Sequence, residues 1–411
     1  MQDWPHLQDD ITRSVSEHLS EQLIVIGVSA SIACLEVHRL ARSLMRHGAR
    51  VQFVLSPAAK ELVSATSLAW ATGRPVIESL TARCEHLELF GKHGTAGLFL
   101  VAPCTANTLG KMAHGLDDNV LTTCFTTALG SGVPVMCAPG MHEPMMCNPA
   151  VLSNLKRVKE YGVEVLEPTL AEGKQKMMGV PEMVARVMRR LGPGDLAEKR
   201  VLITGGPTRE FFDPARCLTN PSSGLTACLL AEEAYRRGAE VLLVYGPGSV
   251  TPACWIPTER VTSAQDMADS CQRLLGEKEY HYLIAAAAVS DYKAAEVSPE
   301  KLATSEGDFH LALRVTPKVL DVLRDGSPGR LVAYKAASSR SDEQLKESMI
   351  PYLRAGRADV VVGNSIVEPG MGFDSTHNRY LVMDQAEDSQ VLGPSPKREL
   401  VEQLWSKILC S

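Results

Sequence analysis

The stretch VLITGGPTREFFDPARCLTNPSSG, residues 201 to 224, gathers the groups best suited to chemistry on an anionic ligand. A buried-strand run, VLIT, leads into the double-glycine turn of Gly205 and Gly206, and a SerSerGly cluster opens an apolar-patterned helix from Leu225. Amide nitrogens exposed at such a turn and helix start suit phosphate. Between them stand Arg209, Asp213, Arg216 and Asn220, side chains able to pair with phosphate or with a substrate carboxylate. An anionic ligand is expected here, although the same residues also fit a tight strand-to-helix connection with no ligand.

A second group of candidates lies in the first half. In GVSASIA, Ser29 and Ser31 follow a strand and open a helix, where hydroxyls and amides would meet a phosphate. The departure from GxGxxG suits a mononucleotide such as FMN, with one terminal phosphate, better than a dinucleotide. APCTANTLGKMAHG offers Thr105, Asn107 and Thr108 after another strand; these also fit a helix N-cap. His86, in CEHLELFG, is a candidate proton acceptor near neutral pH and, taken alone, equally a surface residue. APGMHEPMM places Met141, His142 and Met145 after a strand, as core filling or as soft walls for a flavin ring. His142 and Cys147 lack the two further ligands that zinc would need. Asp291 follows the run YLIAAAAVS, and Lys301 comes ten residues later. That ammonium would neutralise a triphosphate or a charged acyl-phosphate transition state, or be a solvated lysine beside Glu300.

The elements needed to hold these residues are legible as alternating short strands and helices, a parallel α/β layout. LIVIGVS, RVQFVL, GLFLVAP and VPVMCAP read as strands; between the first two, Val37, Leu40, Ala41 and Leu44 recur at helical spacing. The pattern restarts at Val201, so the chain holds two nucleotide-fold beginnings, with HYLIAAAAVSDY and ADVVVGNSI as later strands ending in an acidic turn and at Asn364. Ligands collect at such carboxyl strand ends. EKLATSEGDFHLALRVTP reads as an excursion with β character, a flap or a dimerisation arm. With 411 residues, two domains are expected. The boundaries read as an extension over 1–20, a first domain over 21–190, a linker over 191–198 containing GlyProGly, and a second domain over 199–411.

A net charge of −6 with interspersed signs argues against a nucleic-acid binder. Apolar runs end after six to eight residues, far short of a bilayer crossing, and the acidic start MQDWPHLQDDI lacks the features of a signal peptide, so a cytoplasmic protein is expected. The eleven cysteines, scattered and without CxxC spacing, read as small core hydrophobes in a reducing compartment.

Taken together, the SIA turn, EHLEL, APCTANTLGKMAHGLDDN, APGMHEPMM, ITGGPTREFFDPARCLTNPSSG, AAAAVSDY with a following lysine, and GNSI followed by GFDSTHN occur in an order that resembles one family. It is the bifunctional flavoprotein family of coenzyme A biosynthesis, phosphopantothenoylcysteine decarboxylase fused to phosphopantothenate-cysteine ligase; the match runs from about Leu23 to the C-terminus. The resemblance implies a flavodoxin-like, Rossmann-type α/β flavoprotein domain followed by a Rossmann-like α/β ligase domain. It implies that the first binds FMN through Ser31, Ser56 and the Thr105–Ala106–Asn107 loop, with His86 as catalytic base, and converts 4'-phosphopantothenoylcysteine to 4'-phosphopantetheine. It implies that the second joins cysteine to 4'-phosphopantothenate through an acyl-cytidylate made from CTP, with Mg2+ accompanying the triphosphate. Asn220 and Lys301 fall at the family's catalytic positions, and Ala287, Asp291, Pro317, Val319 and Leu320 at its nucleotide pocket. Tyr334 stands where a ring would stack on the base.

Against the commoner bacterial pattern, His142 replaces an asparagine, and EGKQKM replaces a cysteine-bearing flap, which makes Lys174 a candidate substrate clamp. The Lys-x-Lys-Lys pattern survives only as Lys301, and two later lysines have no equivalent near Arg354 and Arg357. Family analogy implies a homo-oligomer, with trimeric decarboxylase units and ligase dimers. The competing readings are a flavoprotein decarboxylase homologue whose second domain binds a nucleotide without ligating, and a non-catalytic flavin-binding regulatory subunit.

Overall fold

The computed structural model describes residues 10–171, 174–302, 310–368, 370–372 and 375–410. The chain divides into two compact units, Met1–Gly192 and Pro193–Ser411.

In the first unit five parallel strands lie in the order Arg50–Leu55, Leu23–Val28, Leu98–Cys104, Val135–Pro139 and Glu164–Val165. All six residues of Leu23–Val28 and all seven of Leu98–Cys104 are buried, as strands covered on both faces require. Val37, Leu40, Ala41 and Leu44 of the helix Val37–Arg46 pack with Met183, Val184 and Val187 of the helix Val180–Arg190 on one face. Leu109, Leu121 and Leu155, from three other helices, cover the opposite face. The chain leaves Leu23–Val28 in opposite directions to form Arg50–Leu55 and Leu98–Cys104, which creates a crevice at their carboxyl ends. A small antiparallel pair, Thr169–Ala171 with Lys174–Lys176, follows the sheet; the side chain of Lys174 lies outside the described residues.

In the second unit eight strands run in the order Thr258–Arg260, Glu240–Tyr245, Arg200–Gly205, Tyr282–Ala285, Arg330–Ala337, Val360–Ser365, His377–Asp384 and Ser389–Pro396. The first six are parallel, and the last two are added antiparallel at the edge. Here the order reverses between Arg200–Gly205 and Tyr282–Ala285.

The helix Leu225–Arg236 sits down on the end of Arg200–Gly205. A side chain at Gly205 would place its Cβ 2.2 Å from Ala227 Cβ, and Gly224, with φ +81°, has Tyr245 Oη 1.9 Å from where a Cβ would stand. The residues between the double glycine and this helix form a hairpin, Arg209–Phe211 with Cys217–Thr219. Of the excursion over 300–317, Leu313–Val315 pairs antiparallel with Tyr292–Ala294, while residues 303–309 lie outside the described ones. All eleven cysteines are free; Cys34, Cys104, Cys124, Cys137, Cys228 and Cys271 are buried, whereas Cys84, Cys147, Cys254 and Cys410 are exposed and Cys217 is intermediate, so the core reading holds for six of them. Burial pushes the thiols of Cys124 and Cys271 up to about 12, which keeps them protonated and inert. No helix among the described residues is long and apolar enough to cross a membrane.

Candidate functional sites at two sets of strand ends

At the crevice of the first unit, three strand ends converge on backbone. A Cβ at Gly140 would lie 2.9 Å from Pro103 Cβ and 3.4 Å from Ser31 Oγ, so the loops after Leu23–Val28, Leu98–Cys104 and Val135–Pro139 meet around Ser31. Ser31 caps the helical turn Ile32–Glu36 with a long bond from Ala33 N at 3.5 Å and remains partly exposed. Ser29 takes a different role from the one expected: it is buried, its Oγ donates to Pro103 O at 2.7 Å and accepts from Thr105 N at 2.9 Å. Its hydroxyl is engaged in tying two loops together and is not available to a phosphate.

Thr105 accepts from Thr108 N at 3.3 Å and so acts as the N-cap of Ala106–His114, which leaves Asn107 exposed on the first turn. Ser56 is buried at the start of the turn Pro57–Glu61 without a side-chain cap bond, and its N donates to Val28 O. Met141 packs against the core below, whereas His142 is exposed at the start of Glu143–Met146.

His86 stands on the helix Glu85–Phe90, which packs against Val120–Gly130. The helix start is fixed by Glu85, whose carboxylate accepts from Thr81 N and Oγ1, bonds that hold it below the usual carboxylate range. The ring Nδ1 of His86 is buried with no partner among the described residues, and no described hydrogen bond links it to the Ser31 or Thr105 loops. A buried polar atom left unpaired in this way points to a partner outside the folded chain.

In the second unit a cavity of about 530 Å³ opens at the strand ends, a volume suited to a small ligand. Of the residues expected there, Asn220, Ala287, Asp291, Pro317, Val319, Leu320 and Tyr334 line it. Asn220 Nδ2 donates to the carbonyls of Ala288 and Val289, both at 3.1 Å, which joins the hairpin to the end of Tyr282–Ala285 and leaves the amide oxygen as the free acceptor. The helix Leu225–Arg236 starts at the cavity wall; Gly224 N and Leu225 N donate to Ser222 Oγ and Ser223 Oγ, each at 3.4 Å, and the next amides, of Thr226 and Ala227, remain as anion donors.

Tyr334 stands edge-on to Tyr380, with ring centroids 5.7 Å apart, and its hydroxyl is buried without a partner among the described residues. Burial pushes its pKa well up, so it remains an O–H donor.

Gly205, Gly206, Arg216 and Lys301 are not brought to this cavity. The double glycine serves backbone packing: Gly206, at φ +74°, lies against Gly246 O. Arg216 is held back by Asp213, which is fully buried and accepts from Ala215 N and Arg216 N at 2.7 Å, from Leu302 N at 3.3 Å and from Arg216 Nη1 at 3.2 Å. Burial opposes the charge on Asp213, but these donors prevail and keep its carboxyl below the usual range. The bond to Leu302 anchors the segment while the side chain of Lys301 stays exposed.

The cations that do line the cavity are Lys318, Lys335, Arg357 and Lys397. They come from separate segments, and only Arg357 stood out in the sequence, as the nearest basic residue where later lysines are missing. A polar, cationic floor with Ala, Pro and Val walls suits a nucleotide and an acidic substrate together.

The flavoprotein family matches residues 12–192, and the family of the DNA/pantothenate metabolism flavoprotein C-terminal domain matches residues 196–410. The coenzyme A biosynthesis bifunctional protein CoaBC of Thermococcus kodakarensis is 38% identical over 395 residues, covering 96% of each chain. The protein of that name from Escherichia coli is 31% identical over 405 residues, 94% of this chain and 96% of the relative. Among solved structures, the C-terminal domain of a coenzyme A biosynthesis bifunctional protein CoaBC aligns with a TM-score of 0.43 and 29% identity over 53% of this chain and 97% of that one. With both halves matched in order and the likeness running through nearly the whole length, the chain belongs to the family of bifunctional coenzyme A biosynthesis flavoproteins.

Proposed function

We propose that the protein joins cysteine to 4'-phosphopantothenate and then decarboxylates the 4'-phosphopantothenoylcysteine so formed to 4'-phosphopantetheine. The observation that carries this reading is the 38% identity over 96% of the chain to a bifunctional coenzyme A biosynthesis protein. The cavity at the reversal of the second sheet supports it from the geometry.

For the ligase reaction, the substrate carboxylate attacks the α-phosphate of CTP, pyrophosphate leaves, and the cysteine amine then displaces CMP from the acyl carbon. Asp291, Ala287 and the Pro317, Val319 and Leu320 wall hold the nucleoside, with Tyr334 at its base. Asn220 accepts at the reacting acyl group through its amide oxygen, and the helix start after Gly224 binds negative charge. Mg2+ accompanies the triphosphate. Lys301, exposed beside the anchored Leu302, neutralises charge on the phosphates.

For the decarboxylation, the crevice around Ser31 fits FMN: bare backbone at Gly140, the partly exposed Ser31 hydroxyl and the first turn at Ala106 and Asn107 would hold its phosphate, and Met141 would support the ring. When bound, FMN supplies a reversible two-electron sink for the thiol-bearing carbon of the substrate. His86 takes the proton released there, the resulting thioaldehyde lets the neighbouring carboxylate leave as CO2, and the enethiol so formed regains the two electrons held by the bound group, with protons, to give 4'-phosphopantetheine. His142 and Lys174 hold that carboxylate beforehand. The chain acts in the cytoplasm as a homo-oligomer, with trimeric decarboxylase and dimeric ligase units.

The test supplies purified protein with 4'-phosphopantothenate, cysteine, magnesium and either CTP or ATP, and follows pyrophosphate and both thiol products by mass. Yellow protein, pyrophosphate with CTP and 4'-phosphopantetheine are expected. A yellow protein forming neither product would reduce it to a flavin-binding relative.

A further inference from the structure

Of the four cations that line the second cavity among the described residues, three are engaged by the protein itself. Lys318 Nζ lies 2.6 Å from Asp291 Oδ1; Arg357 grips Asp321 Oδ1 with Nε at 2.8 Å and Nη2 at 2.6 Å; buried Lys397 donates to Gly372 O at 3.0 Å. Lys335 is different. It has neither a carboxylate nor a carbonyl partner among the described residues, although it is only partly exposed and sits on a central strand.

Its surroundings are specific. Lys335 pairs in register with Gly363, and its strand neighbours Ala333 and Ala337, which share its face, pack in the cluster of Leu345, Met349 and Leu353 from the helix Asp342–Arg354. Tyr334, one residue earlier, faces the other side, toward Tyr380. The Lys335 ammonium lies 5.7 Å from the centre of the Tyr352 ring, and the Arg357 guanidinium lies 5.5 Å from the same centre. One aromatic ring therefore carries two cations at the cavity wall. Tyr352 offers each a modest attraction, and Arg357 already has the Asp321 carboxylate as its counter-charge. A bound polyanion supplies the counter-charge that Lys335 lacks.

We propose that Lys335, with Arg357 beside it on Tyr352, holds the phosphate chain of the nucleoside triphosphate. This rests on the nucleotide reading of the cavity given above. It assigns the phosphate charge to the wall formed by the strand Arg330–Ala337 and the end of the helix Asp342–Arg354. The Lys335 ammonium neutralises phosphate charge; no bond is made or broken there.

Calorimetry with CTP and with cytidine on the full chain and its variants tests this. Lys335→Met keeps the length of the side chain and removes the charge; it should weaken CTP binding roughly ten- to a hundredfold, the worth of a charge-assisted contact, and leave cytidine binding within about twofold. Lys335→Arg should recover most of the CTP affinity. Should the methionine variant fail to fold, Lys335→Gln gives the same comparison. An unchanged CTP affinity in the uncharged variant would overturn the assignment, as would an equal loss for CTP and cytidine, which marks a structural role. Wild-type protein that fails to prefer CTP over cytidine would instead overturn the nucleotide reading, and the assignment with it.

Discussion

His86 and Asn220 sit in different units, one on the helix Glu85–Phe90 and the other at the wall of the second cavity, and each has a local reason to be where it is. Replacing either should therefore remove one reaction and spare the other. His86→Asn is expected to lower decarboxylation of supplied 4'-phosphopantothenoylcysteine by roughly 10²- to 10⁴-fold, the range for loss of a positioned base, with pyrophosphate release from CTP unchanged. Asn220→Asp should do the reverse; equal losses in both assays would contradict the separation. Tyr334 carries a second residue-level expectation. Its unpartnered hydroxyl costs the empty protein about 1–3 kcal/mol if nothing meets it, so Tyr334→Phe should leave the unfolding temperature unchanged or raised. If the hydroxyl's partner is the nucleotide, the same variant should raise the KM for CTP several-fold. A lowered unfolding temperature with an unchanged KM would show the hydroxyl to be structural.

The elements that position these residues obey packing demands visible only in part from the sequence. Strand and helix alternation was legible because it is local: apolar runs of parallel strands and the spacing of Val37, Leu40, Ala41 and Leu44 need no tertiary information. The double glycine was legible as a special turn but not for the right reason, since the close approach of Ala227 to Gly205 depends on how a helix twenty residues later settles on the strand. Ser29 looked like a phosphate ligand because a hydroxyl after a strand gives no sign that Pro103 and Thr105, some seventy-five residues on, will claim it. Lys318, Lys335 and Lys397 each sit in ordinary amphipathic surroundings, and only the folded sheet brings them to one cavity.

Gly224 is where this logic is most exposed to test. Gly224→Ala forces a side chain into φ +81° and against Tyr245 Oη. It should cost about 2 kcal/mol or more, seen as a lowered denaturation midpoint, with nucleotide binding lost alongside. The hairpin carries a pH signature. The carboxyl of Asp213 is held below its ordinary value of about 3.9, so the unfolded chain takes up that proton first as pH falls. The stability it provides is complete above that value and is lost as pH falls through the native one. The stability gap between wild type and Asp213→Asn should therefore narrow as pH drops from about 5 to about 2, measured by urea denaturation. A constant gap would mean that Asp213 titrates no differently in the hairpin than in the unfolded chain.

For the molecule as a whole, two units each build a doubly wound sheet, and each sheet has a crevice where strand order reverses, the place where open α/β sheets take ligands. Family membership runs across 96% of the chain, and in the proposed function the product of the second site is the substrate of the first. Carboxyl-labelled cysteine tests this coupling most directly. Given 4'-phosphopantothenate, CTP and magnesium, the full chain should release the label as CO2 in step with pyrophosphate, close to one for one, and leave unlabelled 4'-phosphopantetheine. Pyrophosphate without labelled CO2, or the absence of both, would contradict the account.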